Sequence, residues 1–230
     1  MPQHVKRIKI DRKALRQPDE FHTLSTQAAE WVRTHQPVAY GVLAAVVAIM
    51  LVVVLVGRIR TSHTQAAALD FRAAHSLFEA GKYADAARSF AGLADTYAGT
   101  PFGRLAALYR GHALIRQGDA AGAVTAYQGF LAGGVASGDL RQEGLMGLAY
   151  AREKSGDVAG ALETYTQAGE LAGPFRTQAQ LAAARIDEAQ GRTDQARSIY
   201  EQLLKTDPDP DLRALLVTKL PAGTVAAEQP

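Results

Sequence analysis

The chain has 230 residues, and its 25 Lys and Arg against 23 Asp and Glu give a formal net charge of +2 at pH 7, which excludes a protein that recruits nucleic acid through overall charge. The absence of cysteine excludes disulfide scaffolds, thiolate zinc sites, cysteine nucleophiles and a lipidated cysteine anchor. Only 7% of the residues are aromatic and 21 are glycine, so the composition favours closely packed helices over a β-sandwich or barrel.

Residues 1–36 form a basic tail with seven Lys or Arg and four Asp or Glu. Its second half predicts a short amphipathic helix, because apolar and aromatic side chains recur there with helical spacing. The residues of this stripe are Phe21, Leu24, Ala28, Trp31 and His35. Trp31 and Tyr40 lie on either side of the start of the next segment, and we expect both rings at the level of the lipid headgroups.

Residues 38–57 contain no charged side chain, and twelve of these 20 residues are Val, Leu or Ile. A helix of this length is roughly 30 Å long, which matches the hydrocarbon core of a bilayer. The segment therefore predicts one transmembrane helix. The 37 residues before it, and the lack of a small-residue cleavage site after it, predict an uncleaved anchor and not a signal peptide.

The charges on the two sides of this segment give the orientation. The tail has an excess of basic residues, whereas the chain from Arg58 onward carries 18 basic and 19 acidic residues. The nearest charges, Arg33 before the segment and Arg58 and Arg60 after it, point the other way. From the totals we expect the tail in the cytoplasm and the following domain on the opposite side of the membrane.

Residues 64–220 contain an internal repeat in four copies, marked by glycines 35 to 38 residues apart. An alanine follows each marker glycine by five residues, and an aromatic residue follows it by nine. The copies are Gly81, Ala86 and Phe90; Gly118, Ala123 and Tyr127; Gly156, Ala161 and Tyr165; and Gly191, Ala196 and Tyr200.

Each copy predicts a pair of antiparallel helices. The glycine is expected to end the first helix in a left-handed conformation. The alanine marks a close helix crossing, and the aromatic ring fills the space one turn later. The pairs are expected at 65–80 with 84–97, 103–117 with 120–132, 140–155 with 158–171, and 175–190 with 194–206. Residues 211–220 are expected to form a capping helix and residues 221–230 a disordered tail.

The sequence thus predicts an all-α fold, with one amino-terminal transmembrane helix followed by an α-solenoid of about four divergent helix pairs. The Gly-x-x-x-x-Ala-x-x-x-aromatic pattern resembles the tetratricopeptide repeat, and Pro208 falls where that repeat often ends. The first helices depart from the repeat, because small residues replace the usual large ones. These residues are Ala73, Ala74, Ala183 and Ala184.

The layout of a short tail, one anchor and about 150 residues of divergent repeats is similar to the bacterial family of ancillary SecYEG translocon subunits. That resemblance implies a single-pass protein of the bacterial inner membrane with a periplasmic repeat domain. It also implies that this domain passes exported polypeptides to periplasmic chaperones. An envelope cell-division coordinator shares the repeat class, but it is secreted without a retained anchor.

No catalytic or metal-binding pattern occurs in the sequence, so we expect no enzyme activity, no cofactor and no metal. The six histidines lack the spacing of a zinc site. Ser137 stands between glycines without a preceding strand, and we interpret it as part of a loop between helix pairs. Asp207, Asp209 and Asp211 lack the glycine and glutamate of a calcium loop, and we interpret them as a helix terminator.

The leading hypothesis is a membrane-anchored protein-interaction module that contacts the lipid bilayer and binds translocon components, exported chains or periplasmic chaperones. The alternative is a structural or scaffolding adaptor of an envelope complex, for cell division or envelope assembly, without polypeptide transfer. First helices of repeat solenoids line extended grooves. The candidate groove residues on these helices are Arg72, Arg104, Leu108, Arg110, Arg141, Arg152, Gln178 and Arg185.

Overall fold

The computed structural model describes residues 30–134, 138–206 and 208–220. These residues are helical apart from short turns, and no strand occurs among them, which confirms the predicted all-α class. The helices are α1 (Gln36–Glu79), α2 (Tyr83–Thr96), α3 (Pro101–Gln117), α4 (Ala120–Ala132), α5 (Gly138–Lys154), α6 (Val158–Glu170), α7 (Arg176–Ala189), α8 (Thr193–Leu204) and α9 (Pro210–Lys219). Several predictions concern positions outside the described residues, namely residues 1–29, Ser137, Asp207 and residues 221–230.

Helix α1 differs from the prediction, because one uninterrupted helix of 44 residues includes both the apolar segment and the first helix of the first repeat. The sequence analysis placed these in separate helices. Gly57 is the weakest helix former between them, and a glycine costs only about 1 kcal/mol relative to alanine inside a helix. No proline stands in this stretch to break the helix. Among the described residues, α1 is the one helix long and apolar enough to cross a membrane, judged by length and composition.

The chain divides into two compact units, residues 1–60 and residues 61–230. In the described part of the first unit, the large apolar side chains are exposed. Trp31 is 50% exposed and stacks on His35 with a ring separation of 5.2 Å, and Tyr40 is 68% exposed. Their location at a membrane surface stays a prediction.

In the second unit, all four marker glycines adopt left-handed φ values, namely 74° at Gly81, 92° at Gly118, 89° at Gly156 and 74° at Gly191. In each copy, the residue after the glycine donates its backbone N–H to the carbonyl five residues earlier. Lys82 bonds to Leu77 at 2.9 Å, and Arg192 bonds to Asp187 at 2.8 Å. This bond is the signature of a Schellman cap, so the same backbone turn reverses the chain four times.

The alanine and aromatic positions of the repeat lie in the interior. The four alanines are at most 1% exposed, and the four aromatic side chains are at most 4% exposed. Each aromatic ring packs in a cluster with residues of its own helix pair or the next one, as Phe90 does with Ala74, Ala86 and Ala106. The core of this unit is therefore a series of small clusters along the chain.

Helix α9 closes the last cluster, as the sequence predicts for a capping helix. Leu216 and Leu220 are buried against Tyr200 and Leu203. The carboxylate of Asp209 caps α9 by accepting backbone N–H bonds from Asp211 at 3.1 Å and Leu212 at 3.0 Å. That geometry is an ordinary helix N-cap. Asp209 and Asp211 therefore begin a helix, and their interpretation as part of a helix terminator is wrong.

Candidate functional site

The first helices of the pairs, together with two second-helix tyrosines, surround a hollow of about 430 Å³, which we call the first-helix groove. A volume of this size lies in the range of ligand-binding clefts. The residues that line it are Phe78, His112, Ile115, Arg116, Tyr127, Glu143, Met146, Gly147, Tyr150, Tyr165, Phe175 and Gln178. Phe78 comes from α1, the set from His112 to Arg116 from α3, and the set from Glu143 to Tyr150 from α5.

Four of these lining residues stand at repeated distances before the marker glycines. Phe78 and Ile115 lie three residues before a marker glycine, and His112 and Tyr150 lie six residues before one. Residues that share a repeat position share a helix face, because each copy folds in the same way. The groove is therefore one face of the first helices, continued from copy to copy.

Tyr127 of α4 forms the floor between α3 and α5. A Cβ atom at Gly111 would lie 2.6 Å from its ring, and a Cβ atom at Gly147 would lie 2.5 Å from it. Only glycine admits the ring at such distances. The Tyr127 hydroxyl is 2.8 Å from Nδ1 of His112. Burial, with a smaller effect of Glu143, raises the pKa of Tyr127 above its ordinary value.

The acidic side chains in and beside the groove contact basic or imidazole side chains. An oxygen of Glu143 lies 3.3 Å from Nε2 of His112. The guanidinium of Arg185 donates to both oxygens of Glu153, at 2.8 and 2.7 Å, and this hydrogen bonding raises the pKa of Arg185. Burial, followed by the charge of Glu153, raises the pKa of Tyr165 to about 12.

Two cations at the groove are held by aromatic rings instead of carboxylates. Arg116 donates to the hydroxyl of Tyr83 at 2.8 Å, and its guanidinium lies 5.2 Å from the centre of that ring. Nζ of Lys154 lies 5.3 Å from the centre of the Tyr150 ring. Within the described ranges, no carboxylate oxygen lies within 4.0 Å of either cation.

Two of the eight candidate groove residues lie at the groove. Gln178 lines it, and Arg185 pairs with Glu153 beside it. Arg72, Arg104 and Arg141 are at least partly exposed but do not line it.

Three other candidates are placed differently from the prediction. Leu108 is 0% exposed and packs in the core with Phe130 and Leu148, so the expectation that it lines a groove is wrong. Arg152 bonds instead to the carbonyl of Gly160 at 3.1 Å and the hydroxyl of Thr164 at 2.6 Å, which ties α5 to α6. Arg110 lines a separate hollow between α2 and α3.

The sequence analysis missed most of the groove residues, His112, Arg116, Glu143, Met146 and Tyr150 among them. For His112 and Tyr150, the signal that could have found them is their shared position six residues before a marker glycine. No cluster of three or more His, Asp or Glu residues that could hold a metal ion occurs in the described part of the chain. The arrangement presents apolar surface edged by polar groups, which suits binding of a chain segment.

A family model for a tetratricopeptide repeat-like domain matches residues 30–225. Among solved structures, a protein from Podosopora anserina that consists of tetratricopeptide-like repeats is similar to this chain. The two share 19% sequence identity and a TM-score of 0.55, over 69% of this chain and 84% of that one. A tetratricopeptide repeat protein from Parabacteroides merdae shares 15% identity and a TM-score of 0.57, over 67% of this chain and 59% of that one. At such identities the likeness concerns the fold. No curated protein matches the chain.

Proposed function

The chain belongs to the tetratricopeptide repeat-like domain family, and from this membership we propose that it is a membrane-anchored module that binds a segment of another polypeptide in the first-helix groove. The observation that carries the proposal is the groove itself, a continuous face of first helices with partly buried apolar side chains and one exposed tyrosine. Tyr150, which lines the groove, is 42% exposed, whereas Leu145 and Leu148 of the same helix are buried. Repeat solenoids use surfaces of this kind to bind extended partners, and we propose binding without catalysis.

The anchor is the second part of the proposal. Residues 38–57 lie within the 44-residue helix α1, and the family match begins before them, at residue 30. In a single-pass protein of the bacterial inner membrane, this segment would span the bilayer, with the basic tail in the cytoplasm and the repeats in the periplasm. We propose on this basis that the protein is an ancillary translocon subunit that holds exported polypeptides or hands them to periplasmic chaperones.

Photo-crosslinking from the groove tests the binding role. A photoreactive phenylalanine analogue at Tyr150 of the full chain, in native membranes, should form crosslinks to other polypeptides, because this side chain is exposed in the groove. The same analogue at Gln128, which is exposed on α4 but does not line the groove, is the matched control. Equal crosslinking from both positions, or none from Tyr150, would contradict a binding role for this groove. Crosslinks to translocon components or exporting chains would support the translocon assignment, and contacts with a different envelope complex would support the scaffolding alternative.

A reporter fusion tests the topology. A periplasm-active reporter attached after Leu220 should be active, and one attached before Phe21 should be inactive, because the tail carries the excess of basic residues. Fusions that replace residues 38–57 by a charged linker of equal length serve as the control, and both should then be inactive. Activity at the amino-terminal position alone would place the repeats in the cytoplasm and remove the translocon proposal.

A further inference from the structure

We propose that the first-helix groove recognises an internal polypeptide segment that combines large apolar side chains with at least one acidic side chain, whose carboxylate lies against Arg116 or Lys154. The inference rests on the proposed function, since it names the chemistry of the partner for the same groove. It follows from three features of the groove: its largely apolar lining, the neighbours of its own carboxylates, and the aromatic contacts of its two cations.

Most of the surface that lines the groove is apolar. Phe78 at one end, Ile115 and Met146 in the middle and Phe175 at the other end leave apolar surface around a hollow of about 430 Å³. The free energy falls when apolar groups of a partner leave water and pack on such a surface, whereas it rises when strongly polar groups do so. Large apolar side chains of a polypeptide therefore fit this lining.

The charges at the edge are not balanced within the groove. Arg185 pairs with Glu153, so these two charges balance. Glu143 lies beside His112, a contact that is a charge pair only when the imidazole is protonated, so this carboxylate counts as one negative charge against the two positive charges of Arg116 and Lys154. Arg116 and Lys154 contact the uncharged rings of Tyr83 and Tyr150 instead. A tyrosine ring attracts a cation without cancelling its charge, so the edge that carries these two cations keeps a positive potential.

The positions of the two cations strengthen this argument. Arg116 lies in the last turn of α3 and Lys154 in the last turn of α5. They occupy the same repeat position, two residues before Gly118 and Gly156. The helix dipole supplies only about half a negative charge at each of these ends. A net positive charge remains at both, and a carboxylate on the partner is the group that complements it.

The contact between Arg116 and Tyr83 also prepares the site. The hydrogen bond to the Tyr83 hydroxyl and the cation–π contact with its ring fix the guanidinium before a partner arrives. A guanidinium carries five N–H donors, so this single bond leaves donors for a carboxylate. Less conformational entropy is lost when a fixed side chain binds than when a free one does.

Peptide binding to the full chain in phosphatidylcholine nanodiscs tests the proposal by isothermal titration calorimetry. The probes are three 15-residue peptides, each acetylated and amidated so that side chains carry the only charges. The first has Leu or Phe at every third or fourth position and two Glu between them. The second has Lys in place of both Glu, and the third has Ser in place of the apolar residues. Empty nanodiscs measure binding to lipid.

The expected order is the Glu peptide first, then the Lys peptide about tenfold weaker, and no binding of the Ser peptide. Arg116→Glu should weaken the Glu peptide about tenfold and strengthen the Lys peptide, because the sign of the charge is reversed at the site. Arg110→Glu is the matched control, since Arg110 is exposed on the same helix but does not line the groove, and neither affinity should change. Lys154→Glu gives the same test on the neighbouring helix if Arg116→Glu disturbs the fold in circular dichroism.

The outcomes separate this inference from the proposed function. Equal binding of the Glu and Lys peptides, or an equal effect of Arg110→Glu, would overturn the inference. Binding of none of the peptides, while Tyr150 still crosslinks to polypeptides in membranes, would overturn it and leave the proposed function standing. If the crosslinks are also absent, both are wrong.

Discussion

Tyr127→Ala is expected to lower the free energy of unfolding of a fragment spanning residues 61–230 by about 3–5 kcal/mol, the usual cost of removing a buried aromatic side chain. The Tyr127 ring is 1% exposed and fills the space between α3 and α5, where Gly111 and Gly147 approach it too closely for any other residue. The cavity left behind cannot collapse without a shift of both helices. Urea unfolding monitored by circular dichroism measures the loss.

Tyr127→Phe is the matched control, because it keeps the ring and removes only the hydroxyl group that lies 2.8 Å from His112. We expect a loss of about 1 kcal/mol from the missing hydrogen bond. A similar loss for both variants would show that the ring does not hold the helices together. Since Tyr127 also forms the floor of the first-helix groove, Tyr127→Ala should weaken crosslinking from Tyr150 under conditions where the chain remains folded.

The second large effect is expected at Gly103, where one added methyl group meets the backbone. A Cβ atom there would overlap the carbonyl oxygen of Tyr97 and lie 2.5 Å from the carbonyl carbon. A side chain could rotate away from such a contact, but the end of α2 cannot. Gly103→Ala should therefore destabilise the 61–230 fragment by about 3 kcal/mol, at the upper end of overpacking costs, as measured by the shift of the urea midpoint.

Gly129→Ala is the control for this substitution, and it should raise the free energy of unfolding instead of lowering it. Gly129 lies in α4, and an added Cβ atom would have no other group within 4 Å. Alanine there should stabilise the fragment by about 0.5–1 kcal/mol, because it loses less backbone entropy in a helix. If both substitutions destabilise the fragment, or neither does, the contact between Gly103 of α3 and the backbone at the end of α2 does not explain the effect of Gly103→Ala.

The helix pairs follow from local features of the sequence. Each marker glycine adopts the left-handed conformation that ends a first helix, and the alanine five residues later is buried at the crossing of two helices. Both are short-range properties, since a Schellman turn needs only six consecutive residues. Seven of the eight repeat helices therefore have observed ends within a few residues of the predicted ones, and the first repeat helix ends as predicted but begins at Gln36.

The pattern also contained a second small-residue position that the sequence analysis did not use. Ala74, Gly111, Ala149 and Ala184 lie seven residues before their marker glycines, and all four are buried. Gly111 shows the reason, because the ring of Tyr127 occupies the space that a side chain would need. Three of the four small first-helix residues that made the repeats look divergent, Ala74, Ala183 and Ala184, are thus part of the packing.

Sequence by itself determined the helical class, the repeat, its turns and the apolar segment, because each depends on residues that are close together in the chain. Tertiary packing decided which first-helix side chains face the groove. Leu108 and Met146 occupy the same repeat position, ten residues before Gly118 and Gly156, yet Leu108 is enclosed by Phe130 and Leu148 while Met146 lines the groove. Arg152 turns inward because Thr164 and the carbonyl of Gly160 on the next helix accept its hydrogen bonds. Such choices depend on neighbours that lie on other helices, and the periodicity of a single helix contains no information about them.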